Sequence, residues 1–242
     1  MIIELTGNVE FLPNCPFTIF RTTEQQARIN QSWNAFIQNK KAEDFFNGDI
    51  FLVTQIKHCG DNYYFNIGKT QYSELVYIRE TGELKARSLF VAAYIVTSDN
   101  YYCVIKDKRN RINTIGGLAD ILDFLPGNVF SPERCLRREI KEELGMDILC
   151  NEVFSEYKPQ FLKIPANAEN DMALYPVGVL YEIKTSFNRH ELLLSFEENR
   201  KRTDGEIAEL MFYNQENYKQ LEKDGIAVSY IEELLDKLMR IE

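Results

Sequence analysis

Three observations predict an α+β fold for this chain of 242 residues. β-rich runs surround a short polar turn in SLFVAAYIVTSDNYYCVIKD (residues 88–107), the mark of an antiparallel pair. SPERCLRREIKEELG (131–145) places apolar residues at helical spacing between a capping serine and a closing glycine. More strand-like runs and a second amphipathic helix follow in the C-terminal half.

Taken in order, PFTIF (16–20) reads as a short strand. Thr22 or Thr23 then opens a helix, and Thr23 with Gln26 fits a capping box. Ala27, Ile29, Trp33, Phe36 and Ile37 continue at mostly helical spacing until NGD at 47–49 breaks the pattern. IFLVTQI and NYYFNIG flank KHCGD and predict a hairpin. TQYSELVYIRE (70–80) suits helix or strand, and TGELKAR (81–87) reads as a linker. A boundary near residue 86 therefore divides a smaller α+β segment, 1–85, from a larger domain, 86–242. Beyond the strand pair come KDKRNRINTIGGLAD, the DFLPGN loop and the helix that Ser131 caps, Pro132 starts and Gly145 ends. NEVFSEYKPQFL, ALYPVGVLYEIKTSF and DGEIAELMFYN read as strands. SYIEELLDKLMRI closes the chain as a helix with Ile231, Leu234, Leu235 and Leu238 on one side.

Composition narrows the function. Apolar content of 45% and charged content of 27% are ordinary for a globular protein. No apolar run reaches the roughly 18 residues of a membrane helix, and the N-terminus lacks the basic and apolar regions of a secretory signal. Five scattered cysteines without a CxxC pair fit reduced thiols in a cytoplasmic protein, with neither a zinc site nor a disulfide framework. A net charge of −9 opposes nucleic acid and anionic membrane as partners, yet leaves room for a local basic pocket that takes a small phosphorylated molecule. His58 and His190 lie in no catalytic or ligand pattern.

The chemistry concentrates in RREIKEELGM (137–146). Glu139, Glu142 and Glu143 crowd one side of the predicted helix, a spacing that opposes helix formation by roughly 0.2–0.5 kcal/mol per pair. At about 100° per residue they flank the buried stripe of Leu136, Ile140 and Leu144. Three carboxylates at the edge of a core need a neutralising cation. Mg²⁺ suits such oxygen ligands together with substrate phosphates. The plainer reading is a solvated acidic face paired locally with Arg138 and Lys141.

The surrounding pattern resembles the Nudix hydrolase superfamily. Arg138, Glu139, Ile140, Glu142, Glu143, Gly145 and Met146 match the second half of the Nudix box. IGGLAD (115–120) resembles the Pro-Gly-Gly strand end, and GEIAELMFY (205–213) a late family strand. The resemblance spans about residues 88 to 225 and implies a Nudix α/β/α sandwich with a mixed sheet. It departs in the loop half of the box. Phe124 and Phe130 stand where a glycine and a glutamate are usual, Ile115 replaces the proline, and an insertion lies around ILDFLPGNV. Asp120, Asp123 and Glu133 are candidates for the missing carboxylate.

By this resemblance Glu139, Glu142 and Glu143 would ligate Mg²⁺ or Mn²⁺, Arg138 would orient a glutamate, and Gly116 and Gly117 would admit close backbone approach. Glu139 or a later glutamate (Glu197, Glu198 or Glu206) would serve as base. Arg109 and Arg111, with Lys106 and Lys108, would meet substrate phosphates, whereas Arg200, Lys201 and Arg202 read as a solvated loop. Tyr63, Tyr64, Phe65, Tyr72, Tyr101 and Tyr102 are available to stack a base, and most read as strand or core residues. The implied reaction is hydrolysis of a nucleoside diphosphate linked to another group, ADP-ribose-like or a nucleotide-sugar. The layout of residues 1–85 resembles the branch that cleaves UDP-glucose and UDP-galactose; that segment also suits a substrate lid, plain packing or a homodimer contact. Two alternatives stay open: a nucleotide-binding regulator of the same fold, and an isoprenoid diphosphate isomerase, which would need a cysteine in the pocket.

Overall fold

A computed structural model describes residues 1–39, 47–84, 86–147, 153–164, 176–228 and 230–240. Cys150 and the ends of several predicted runs (40, 151–152, 173–175, 229 and 241) lie outside the described residues.

The N-terminal part contains β1 (Ile2–Glu4), β2 (Val9–Thr18), α1 (Thr23–Asn39), β3 (Asp49–Cys59), β4 (Asn62–Gln71) and α2 (Tyr72–Thr81). Next come β5 (Arg87–Val96), β6 (Tyr102–Asp107), β7 (Arg111–Asn113), β8 (Ile115–Leu118), β9 (Phe124–Leu125), β10 (Val129–Phe130) and α3 (Pro132–Leu144). The chain continues through β11 (Phe154–Lys163), β12 (Val177–Thr185), α4 (Arg189–Asn199), β13 (Ile207–Tyr213), α5 (Leu221–Asp224), β14 (Ile226–Ala227) and α6 (Ile231–Leu238).

This is an α+β fold built on one mixed sheet, with main order β1-β11-β12-β5-β3-β4-β2 and β6, β7, β8, β13 and β14 branching from it. Strand β5 is nearly all apolar because both its faces are covered. Leu89, Val91, Ala93 and Ile95 pack with Leu136, Ile140 and Leu144 of α3 and with Leu192 and Phe196 of α4. The alternate residues Phe90, Ala92 and Tyr94 pack with Ile231, Leu234, Leu235 and Leu238 of α6. The period-2 alternation of one strand thus separates two helical layers, an α/β/α arrangement.

Hydrogen bonding crosses residue 86. β3 pairs with β5 at Leu52↔Ser88 and Val53↔Arg87, and β1 pairs with β11. Phe51, Val53, Phe65 and Ile67 share the core of Leu89 and Val91. Several local details differ from the sequence reading. The first long strand starts at Val9 and has Pro16 inside it. Thr22, one residue earlier than Thr23, caps α1: its Oγ1 accepts from Gln25 N (3.2 Å) and Gln25 Oε1 accepts from Thr22 N (3.0 Å). The ambiguous stretch at 70–80 ends β4 at Gln71 and is helix α2 from Tyr72, where Leu75 and Ile78 pack on Ile50, Leu52 and Ala86. Helix α4 was not foreseen; only Leu192 and Phe196 are buried on it, which leaves little periodic signal.

The inserted loop is anchored by aromatic packing. Phe130 is buried and meets Phe11 at 5.0 Å and Phe124 at 5.2 Å between ring centroids. Phe124 in turn meets Phe51 at 4.1 Å and Phe17 at 5.6 Å. The two box departures therefore bind the loop to the N-terminal strands. Truncating Phe130→Ala is expected to remove about 3–5 kcal/mol of stability. Urea unfolding checks this, and a loss below about 1 kcal/mol would show that the cluster is not a structural anchor.

Candidate functional site

Helix α3 starts at Ser131, whose Oγ accepts from Arg134 N, and closes at Gly145. Its apolar stripe seats it against β8 and β5, which turns the neighbouring stripe of Glu139 and Glu143 inward; these are 8% and 5% exposed. The glycine pair of β8 admits them. A Cβ at Gly117 would stand 2.4 Å from Glu139 Oε1. Gly116 has φ 141°, and its Cβ would stand 2.3 Å from the Val91 carbonyl oxygen. The Gly116 N–H donates to Glu143 Oε2 at 2.8 Å.

Arg138 is the hub beside them. It donates from Nε to Asp123 Oδ1 (3.1 Å) and from Nη2 to Asp123 Oδ2 (2.9 Å). Nη1 reaches Glu139 Oε1 at 2.7 Å and Glu142 Oε2 at 3.1 Å. Nη2 also donates to the Leu118 carbonyl at 3.1 Å. Burial works against the guanidinium charge, but the Asp123 hydrogen bonds and the Glu139 charge outweigh it and raise the Arg138 pKa. Asp123 is 1% exposed and its Oδ2 also accepts from Asp120 N at 2.8 Å. Of the three candidates for the missing carboxylate, Asp123 is the one that holds Arg138.

One guanidinium thus faces Asp123, Glu139 and Glu142, and Glu143 is held by a backbone N–H. Burial first, then the nearby charges of Glu142 and Asp123, push Glu139 up to about 7 against the pull of Arg138. Burial, then the charges of Glu139, Asp204 and Glu206, push Glu143 up to about 9 against the Gly116 hydrogen bond. This surplus of buried oxygen donors suits a hard divalent cation. Glu139, Glu142 and Glu143 do not converge as they stand, since Glu142 turns out to Arg138. Among the described residues no three Asp, Glu, His or Cys side chains are grouped to hold one ion.

Two cavities lie nearby, neither with Glu139, Glu142 or Glu143 in its wall. One, of ≈ 330 Å³, is lined by Asp107, Lys108, Arg109, Arg111 and the loop Asp204–Gly205–Glu206. Asp204 N donates to the Glu142 carbonyl at 2.8 Å, which pins this loop to α3. The other, of ≈ 390 Å³, lies on the α6 side of β8 and includes Gly116, Gly117, Phe90, Arg79, Arg111 and Tyr230 in its wall. Phe90 and Tyr230 form a tilted ring pair at 5.8 Å. Tyr230 Oη bonds Thr114 Oγ1 at 2.6 Å and donates to Asn113 Oδ1 at 2.8 Å. Arg111 lines both cavities and is held by Asp107, with Nε donating to Oδ2 at 2.7 Å. A further cavity of ≈ 570 Å³, lined by Asn14, Arg21, Thr54 and Asn66 among others, lies in the N-terminal part.

The structure therefore brings Gly116, Gly117, Arg138, Glu139 and Glu143 together where α3 meets β8, and sets Arg109, Arg111 and Glu206 around the smaller cavity. Glu142 sits at the outer edge, 49% exposed at its side chain. Glu197 pairs with Arg200, and Glu197 and Glu198 are exposed on α4. The proposed stacking aromatics lie elsewhere. Tyr63, Phe65 and Tyr102 are buried strand residues, Tyr72 packs on Trp33, and Tyr101 carries Arg189. Arg79, Phe90, Asp204 and Tyr230 escaped the sequence reading. Tyr230 and Thr114 are 116 positions apart, and no local pattern links them.

No family model matches the sequence, and no curated protein does. Solved structures give distant likenesses. DR0079 from Deinococcus radiodurans is 17% identical at TM-score 0.45, covering 78% of this chain and 98% of that one. A NUDIX-family hydrolase from Clostridium perfringens is 17% identical at TM-score 0.35, covering 63% and 98%. Tm1382, a candidate Nudix hydrolase, is 13% identical at TM-score 0.42, covering 79% and 99%. The functional assignment rests on this chain's own residues.

Asp123→Asn is expected to cost about 3 kcal/mol by leaving Arg138 without its buried partner, and chemical denaturation reads the loss. A second outcome concerns pH. The folded protein keeps protons on Glu139 and Glu143 that the unfolded chain releases above the ordinary carboxyl range of about 4.3. Metal-free stability should therefore fall as pH rises from about 5 toward 9. Melting temperatures in chelator should show this decline, and Glu143→Gln should flatten it. A decline that is just as steep in the variant would sink the assignment.

Proposed function

We propose that this chain is a Nudix pyrophosphohydrolase that uses Mg²⁺ or Mn²⁺ to cleave a nucleoside diphosphate linked to another group, a nucleotide-sugar or an ADP-ribose-like molecule. One observation carries the reading: buried Glu139 and Glu143 crowd a glycine strand that walls a cavity lined by arginines. Arg138 reaches Glu139, while Glu143 is held only by the Gly116 N–H among the described residues, and a purely structural helix gains nothing from a desolvated carboxylate left without a cation. Glu139, Glu142 and Glu143 would hold the metal, which when bound polarises a phosphoryl oxygen and makes water a better nucleophile.

The chain's own residues supply the rest. Lys108, Arg109 and Arg111 offer positive charge to the phosphates. Gly116 and Gly117 leave the backbone thin between cavity and carboxylates. Water forms a bond to one phosphorus as the anhydride P–O bond breaks, and two phosphorylated products leave. Glu139 or Glu206 would take the water's proton; burial raises Glu139 in the metal-free protein, and a bound cation would lower it again. Glu206 lines the cavity of Arg109 and Arg111. Phe90 and Tyr230 offer an aromatic wall to the group beyond the phosphates. Cytoplasmic location and a homodimer belong to the same proposal; no helix of the described residues is long and apolar enough to cross a membrane.

A second reading, a nucleotide-binding regulator, is favoured by the outward turn of Glu142. A panel of UDP-sugars, ADP-ribose, dinucleoside polyphosphates and nucleoside triphosphates with Mg²⁺ or Mn²⁺ separates the two. Turnover is expected, and tight nucleotide binding without turnover would establish the regulator. Glu142→Gln and Glu143→Gln should each lower kcat about a hundredfold or more while the protein stays folded. Unchanged kcat in both would remove the carboxylates from the mechanism.

A further inference from the structure

We infer that Arg79 makes the enzyme selective for substrates that carry a second anionic group at the end remote from the cleaved anhydride. This rests on the hydrolase reading above and adds a substrate class to it.

The cavity beside the glycine pair has Ser88, Phe90 and Ala92, alternate residues of one face of β5, in its wall. Ala92 pairs with Gly116 at one end, and Ser88 pairs with Leu52 of β3 at the other. The four steps of chain from Ser88 to Ala92 span about 13 Å at the rise of a strand. Arg111 and the glycines mark the phosphoryl end. Arg79 enters from α2, whose Leu75 and Ile78 pack on Ile50, Leu52 and Ala86. That packing sets Arg79 at the β3 end, away from the glutamates. A volume of ≈ 390 Å³ falls in the range of about 300–1,000 Å³ usual for small-molecule sites and exceeds what a bare pyrophosphate fills.

The two arginines differ in their availability. Arg111 is neutralised by Asp107, with Nε and the backbone N–H both donating to that carboxylate. Arg79 is exposed and, among the described residues, has no hydrogen-bond or ion-pair partner. The chain carries nine more negative than positive charges, yet α2 offers its last-turn cation to the cavity, while the neighbouring Glu80 is engaged by Ser32 and Glu83 by Tyr77 and Arg28. A plain helix-end role, in which the cation complements the C-terminal dipole, needs no cavity. The arrangement fits a carboxylate or phosphate presented across the uncharged middle of the substrate, with Ser88, Asn113 and Thr114 along the way.

Two matched pairs test this: UDP-glucuronate against UDP-glucose, and ADP-ribose 1″-phosphate against ADP-ribose. Each is assayed for hydrolysis with Mg²⁺ and for binding by calorimetry with Ca²⁺. Wild-type protein is expected to favour the acidic member of at least one pair by tenfold or more in kcat/KM, expressed in KM. Arg79→Gln should bring that ratio to within about twofold of one, and Arg79→Lys should recover part of it. A helix-end role would change the melting temperature and leave the ratio alone. Hydrolysis with a wild-type ratio near one, or a ratio that survives Arg79→Gln, overturns the inference and leaves the hydrolase reading standing. If none of the four nucleotides is hydrolysed or bound, the hydrolase reading fails and this inference fails with it.

Discussion

The constraint on which the rest depends is the divided edge of β5. One side of this strand runs parallel to β12 from Leu89 to Val96. The other side is shared: Arg87–Ser88 pair with β3, Phe90–Ala93 with β8, and Ile95–Val96 with β6. Three partners on one edge force the N-terminal hairpin, the glycine strand and the basic turn between β6 and β7 into register with one another. The site is a consequence of that register. Gly116 and Gly117 lie beside Ala92 and Val91, with α3 on one face and the ring of Tyr230 on the other.

Local cost and global placement meet at α3. Its glutamates weaken the helix by only tenths of a kcal/mol as a surface feature. The apolar stripe changes the scale of the problem, since seating Leu136 and Ile140 in the core draws Glu139 and Glu143 out of water. Arg138 is shared among three carboxylates and answers part of that charge. What is left over keeps Glu139 and Glu143 protonated to higher pH than an exposed glutamate. The packing energy of the fold thus holds carboxylates where their own solvation would not leave them.

What the sequence reveals follows from the range of the interactions involved. The helix half of the site is legible because its capping, periodicity and charge stripe repeat within a few residues, and the strand pair around TSDN is legible for the same reason. Asp123 is only one of three candidates in the sequence, because its tie to Arg138 spans 15 positions that run through β9, β10 and the first turns of α3. Helix α2 was ambiguous because its pattern is set by burial under β3 and β5 rather than by its own periodicity. Arg79 and Tyr230 reach the cavity from distant segments, and nothing in their immediate neighbours marks them.

The aromatic joint at Phe124 and Phe130 limits which substitutions the inserted loop can tolerate. Phe130 lies against Phe11, and Phe124 against Phe17 and Phe51, so the inserted loop and the N-terminal strands share side chains. Glycine at 124 alone would open a hole in that joint, and glutamate at 130 alone would bury a charge in it. Neither position can be changed singly without cost, so the inserted loop and the N-terminal strands act as one packing unit.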